Sequence, residues 1–125
     1  MVINFIAMKT STFQTLTIDY GKTTFPINRI CYIESKFGNY SNIVLTHAGS
    51  HLTSFTLKRY CDELSTFDSF IQGSKGLLIN LKHLKNIRTE NDGLYAVMSN
   101  GTKLKLSRRK GKELLCHLSE RAFSL

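Results

Sequence analysis

SNGTKLKLSRRKGKELL, residues 99–115, decides how this chain is read, because it sets a turn, a basic strand and a basic helix start side by side. Asn100-Gly101 fits the two central positions of a type I′ hairpin turn, which need positive φ. That turn predicts a register with Val97 facing Leu104 and Tyr95 facing Leu106 on a core side. Ala96 and Met98 then share the other, cationic side with Lys105 and Lys103. Ser107 follows as an N-cap, and Arg108, Arg109, Lys110 and Lys112 occupy the first turns of a helix whose apolar positions are Leu114, Leu115 and Leu118. Exposed cations at a helix N-terminus oppose the macrodipole by about 0.3 to 1 kcal/mol each. A bound polyanion relieves that repulsion, and phosphate suits the free N–H groups of a first turn, so the run points to a nucleic-acid backbone. The plain alternative is a solvated, Lys-rich helix start.

The rest of the composition fits that partner. The chain has 125 residues, 42% of them hydrophobic, which is enough for one domain with a real core and leaves no room for a second. A formal charge of +8 favours an anionic partner. Its distribution says more than its sum. Residues 1–70 carry 6 basic and 5 acidic side chains, whereas residues 71–125 carry 11 and 4, so the binding face is expected in the second half. Cys31, Cys61 and Cys116 are odd in number and widely spaced, which fits buried thiols in a reducing compartment better than disulfides or a zinc site. The opening MVINFIAM lacks a basic flank and a cleavage site, and no apolar window approaches the roughly 20 residues that span a bilayer. The expected location is the cytoplasm, without a membrane partner.

Working back toward the amino terminus, the pattern is that of a mainly β protein. Residues 1–15 read as an extension, an arm or short strand. Residues 16–20 and 24–27 are expected strands about a Gly21-Lys22 turn, followed by the apolar run 30–33, a loop at 37–40, and a hairpin of 43–46 with 52–55 through Ala48-Gly49-Ser50. Thr56 caps a short amphipathic helix with Leu57, Tyr60, Cys61 and Leu64 on one side. Residues 71–76 are expected as a Gly-rich loop, 77–81 as a buried strand, 82–85 as a helical turn and 87–90 as another strand.

In this order, four stretches resemble the LytTR family of bacterial DNA-binding domains over residues 16–120: ICYIES (30–35), TLKRYCDEL (56–64), FIQGSKGLLINLKHLKNI (70–87) and NGTKLKLSRR (100–109). They are similar to that family's apolar strand ending in Glu, its short helix, its "F-x-R-x-H-x-S-x-x-V-N" segment and its closing "G-x-x-L-x-V-S-R". The resemblance implies an elongated, antiparallel β-sheet fold with one or two short helices and a C-terminal helix. It implies a bacterial transcriptional regulator of the kind found in response regulators, whose loops enter successive major grooves of duplex DNA. Carried over by position, the contacts are Asn39 and Tyr40, then Lys75, then Arg108 and Arg109. Arg109 is the candidate base reader, because a guanidinium bonds guanine O6 and N7 together. Lys75, Lys103, Lys105, Lys110 and Lys112 are candidates for phosphate. Gln72, Ser74 and Gly76 stand where many members have Arg, His and Ser, so the central loop reads a different sequence or binds less. Two copies on repeated half-sites are expected, as a homodimer on DNA. With no space here for the receiver domain common in the family, any phosphorylation input comes from a separate signalling partner.

Other chemistries find little support. His47 and His51 bracket a turn and lack acidic or thiol companions, so no metal and no cofactor are expected. Glu34 and Asn80 fit structural roles at strand ends, and Phe37 is a wedge or a lid in its loop. No nucleophile elbow, P-loop, dinucleotide fingerprint or carboxylate pair is present, so an enzyme is not expected. A sequence-tolerant RNA or single-strand binder, or a protein-interaction module with a basic face, remain as alternatives.

Overall fold

A computed structural model describes residues 15–18, 23–47 and 49–123. The expected amino-terminal extension, the Gly21-Lys22 turn and Ala48 lie outside them. At the centre is strand β3 (Ile30–Lys36), whose run of apolar residues is buried on both faces, the mark of a strand between two layers. It pairs antiparallel with β4 (Tyr40–Leu45) on one side and β7 (Leu77–Asn80) on the other. β5 (Ser50–Thr53) and β6 (Phe70–Ser74) complete a five-stranded sheet in the order β5-β4-β3-β7-β6.

One face of this sheet carries Ile30, Ile33, Ile43 and Leu78. It is covered by helix α1 (Leu57–Glu63) and by Leu16 and Ile18 from the hairpin of β1 (Thr15–Ile18) and β2 (Thr23–Pro26). Thr56 caps α1, accepting from the Arg59 N–H. The helix is fixed by Tyr60, fully buried, whose hydroxyl donates to Thr53 Oγ1 at 2.8 Å. The other face carries Cys31, Tyr32, Leu77 and Ile79. It meets a three-stranded sheet of β8 (Leu84–Glu90), β9 (Gly93–Met98) and β10 (Lys103–Lys105), and helix α2 (Arg108–Phe123). A register shift between Ile30 and Tyr32 turns Cys31 and Tyr32 to the same face. Asn80 ties the layers to the chain's course: fully buried, it donates to the Ile30 carbonyl and accepts from the Lys82 N–H. No buried side-chain nitrogen or oxygen among the described residues lacks a partner.

The fold class is as the sequence implied, but four local expectations are corrected. The β9–β10 register is one residue away from the type I′ prediction: Val97 faces Lys103, Ala96 faces Leu104 and Tyr95 faces Lys105. The turn has three residues, with the Gly101 N–H bonded to the Met98 carbonyl and Gly101 at φ 91, a turn closed by a glycine bulge. The slip exchanges the faces, so Ala96 and Met98, both fully buried, join Leu104 and Leu106 in the core. Residues 71–76 are not a loop: β6 runs to Ser74 and only Lys75 and Gly76 turn. Gly73 is in this strand because a Cβ there would lie 2.8 Å from Leu106 Cδ2. Finally, Tyr40 opens β4 rather than ending a loop, and of the three cysteines only Cys31 is buried, Cys116 being exposed.

Candidate nucleic-acid interface

Strand pairing brings three of the predicted segments to one end of the five-stranded sheet. β3 ends where β7 begins: Glu34 faces Leu77, and the Ser35 N–H donates to the Gly76 carbonyl at 2.9 Å. The Lys75-Gly76 turn therefore lies beside the last residues of β3, next to the β3–β4 tip at 37–39. The Ser107 N–H donates to the Gly73 carbonyl, also at 2.9 Å, so helix α2 starts alongside the end of β6. Gly111 makes this docking close, since a Cβ there would meet Leu94 Cδ1 at 2.8 Å. Leu114 is buried beneath the helix, while Leu115 is on its outer side.

Ser107 caps α2 as expected, its hydroxyl accepting from the Lys110 N–H at 3.2 Å. No acid lies in the first turn. Arg108, Arg109 and Lys112 are exposed and take no carboxylate partner among the described residues, and the same holds for Lys75 in its turn. Lys110 is half-buried, with Nζ 3.5 Å from the Glu113 carboxylate. Unneutralised guanidinium and ammonium groups, beside the Arg108 and Arg109 N–H groups that open α2, give this end the chemistry that suits an anion.

The neighbouring hairpin tip contributes shape rather than charge. Phe37 has φ 53, Gly38 has φ 79, and the Asn39 N–H bonds back to the Phe37 carbonyl in a γ-turn. Asn39 and Tyr40 are exposed, and the Tyr40 ring stands edge-on to Phe37, centroids 6.4 Å apart. Glu34 stays inside the hairpin, accepting from Asn42 Nδ2 and pairing with Lys36 at 3.4 Å.

Lys103 and Lys105 are placed differently. The register that buries Ala96 and Met98 turns both lysines onto the outer face of the three-stranded sheet, where carboxylates meet them. Lys103 Nζ is 2.8 Å from one Glu90 oxygen and 4.6 Å from the Tyr95 ring centre. Lys105 Nζ is 3.5 Å from Asp92, and Arg88 joins Glu90 at 3.7 Å. The Tyr95 hydroxyl donates to Asp92 at 2.7 Å; this bond holds the Asp92 carboxyl below the usual carboxylate range and pushes the Tyr95 phenol up. An open cleft of about 1020 Å³ is lined by residues of both sets, Glu90, Asp92 and Lys105 together with Arg108 and Lys112. These pairings are not visible along the chain, because Glu90 and Asp92 lie 13 residues before the lysines they meet and only strand pairing joins them.

The described residues hold no cluster of three or more His, Cys, Asp or Glu side chains that suits a metal ion. No described helix is long and apolar enough to cross a membrane. His83 bonds the Asn28 carbonyl, a structural role. Burial pushes the Cys31 thiol up, which lowers its thiolate fraction.

Comparison with known proteins agrees with this fold. The family described as "LytTr DNA-binding domain" matches residues 21–119. Among solved structures, the LytTr DNA-binding domain of a protein described as a methyl-accepting/DNA response regulator from Bacillus cereus is similar, with a TM-score of 0.65 and 21% identity. The match covers 86% of this chain and 96% of that one. A search of curated proteins finds no match.

Proposed function

Because the chain belongs to the LytTR family of DNA-binding domains, we propose that it binds duplex DNA sequence-specifically as a bacterial transcriptional regulator in the cytoplasm. Loops at one end of the five-stranded sheet enter successive major grooves. Arg109 reads a base through its two-pronged guanidinium, with Asn39 and Tyr40 reaching the neighbouring groove from the β3–β4 tip. Lys75, Arg108 and Lys112 hold phosphates, and the first N–H groups of α2 add to that hold. Lys110 contributes less, being shared with Glu113. Lys103 and Lys105 reach phosphate only by leaving Glu90 and Asp92, so they serve the far rim of the footprint. Two copies occupy repeated half-sites, and a separate signalling partner supplies any phosphorylation input. No chemistry is performed.

The observation that carries this reading is the convergence of the 37–40, 75–76 and 107–112 segments, through the Ser35–Gly76 and Ser107–Gly73 hydrogen bonds, around Lys75, Arg108, Arg109 and Lys112, which take no carboxylate partner among the described residues. Selection of bound sites from a random duplex library tests it. A repeated consensus is expected, bound at least about a thousandfold tighter than random duplex, with affinity falling steeply as salt rises. A library that yields no consensus, or tighter binding to RNA or single strands, overturns it.

A further inference from the structure

The β3–β4 tip holds an aromatic ring where folding has no use for one. Phe37 is 81% exposed, the most exposed large hydrophobic side chain among the described residues. Its backbone has φ 53, a conformation disfavoured for bulky L-residues and tolerated only where something other than local stability holds the residue in place. The ring finds no apolar pocket, its one aromatic neighbour being the edge-on Tyr40. At the same end of the sheet stand groups that suit an anion: the Lys75 turn, joined to β3 through Ser35, and the start of α2, joined to β6 through Gly73. An apolar ring projecting from a cationic end needs an apolar target inside a polyanionic partner. On base edges in the major groove, the C5-methyl of thymine is that target.

We propose that Phe37 is a specificity-determining residue that packs its ring against a thymine C5-methyl. This rests on the reading that the tip enters a major groove, and adds a preference that the hydrogen-bonding residues do not supply. A wedge between base pairs is a different role, since side chains that unstack bases act mainly from the minor groove and kink the duplex.

The test uses the full chain on its selected duplex, with each thymine replaced in turn by deoxyuridine, which lacks only the methyl. At one position the replacement weakens wild-type binding by about fourfold, the equivalent of one buried carbon. The same replacement leaves Phe37→Ala unchanged, and Phe37→Leu keeps part of the preference. Thermal unfolding of Phe37→Ala verifies that the loop variant folds. If no thymine separates wild type from Phe37→Ala, or if 2-aminopurine at the site brightens on binding as bases unstack, the inference is overturned. Arg109→Ala in parallel separates the two levels. Its loss of site preference alongside an inert Phe37 leaves the groove reading standing, whereas equal binding of selected and random duplex by wild type overturns both.

Discussion

Two three-residue hairpin turns in this molecule solve one backbone problem in opposite ways. At the β9–β10 turn, the positive φ falls on Gly101, Asn100 Oδ1 accepts from the Thr102 N–H, and the Ser99 N–H is bonded to the His83 carbonyl. Every feature there favours folding. At the β3–β4 turn, a positive φ falls on Phe37 although Gly38 is next to it, and the ring faces solvent. The cations divide similarly: Lys103 and Lys105 beyond the first turn are paired with acids, while Lys75, Arg108, Arg109 and Lys112 take no carboxylate partner among the described residues. Local conflict concentrated in one region, against local consistency in the other, marks where selection acts on binding rather than stability.

The largest expected effect separates the two cation sets. Arg109→Ala weakens binding to the selected duplex by about 1 to 3 kcal/mol and relaxes preference at one base pair, measured by competition titration. Lys75→Ala weakens all sequences alike and lowers the salt slope by about one unit. Gly101→Ala probes the folding turn. Nothing lies within 4 Å of the added Cβ, so the strain at φ 91 acts alone. It lowers unfolding free energy by about 1 to 2 kcal/mol in denaturant titrations, without changing DNA affinity. Phe37→Gly has the opposite sign. Relief of about 1 to 2 kcal/mol of strain, less about 0.5 to 1 of added unfolded-chain entropy, leaves a net gain of about 0 to 1.5 kcal/mol in stability, alongside weaker binding. A loss of stability here would break the contrast between the turns.

Lys103→Ala is smaller still, about 0.2 to 1 kcal/mol in stability for a half-exposed pair, with less effect on DNA than Arg109→Ala. The same network has a pH signature. Asp92, held low by the Tyr95 hydroxyl, contributes above the ordinary carboxylate range and loses that contribution as pH falls through its lowered pKa. Tyr95→Phe removes this step from an acid titration of stability.

Much of this was legible in the residues. The apolar ICYI run marked a strand, Thr56 and Ser107 marked helix starts, and the charge distribution pointed to the second half of the chain. The β9–β10 register was not, because Asn-Gly suits both a two-residue turn and a three-residue turn ending in a glycine bulge. With Leu104 and Leu106 inward, packing between the sheets decides the partners. It takes the small Ala96 and the flexible Met98, while Tyr95 stays where its hydroxyl reaches Asp92. Gly73 and Gly76 looked like loop residues because the sequence does not show that Leu106 lies over one of them. Of the site, Arg108, Arg109 and Lys75 stood out by charge and pattern, but the carboxylates that occupy Lys103 and Lys105 come from a strand pairing that local reading does not see.

Amide chemical-shift mapping during titration with the selected duplex, at physiological salt, tests the central claim most directly. Perturbations largest at 37–40, 75–76 and 107–112, weaker on the Glu90–Lys103 face and absent from the 99–101 turn, are the predicted result. Perturbations centred on that acid-paired face, with the converging loops silent, would contradict it.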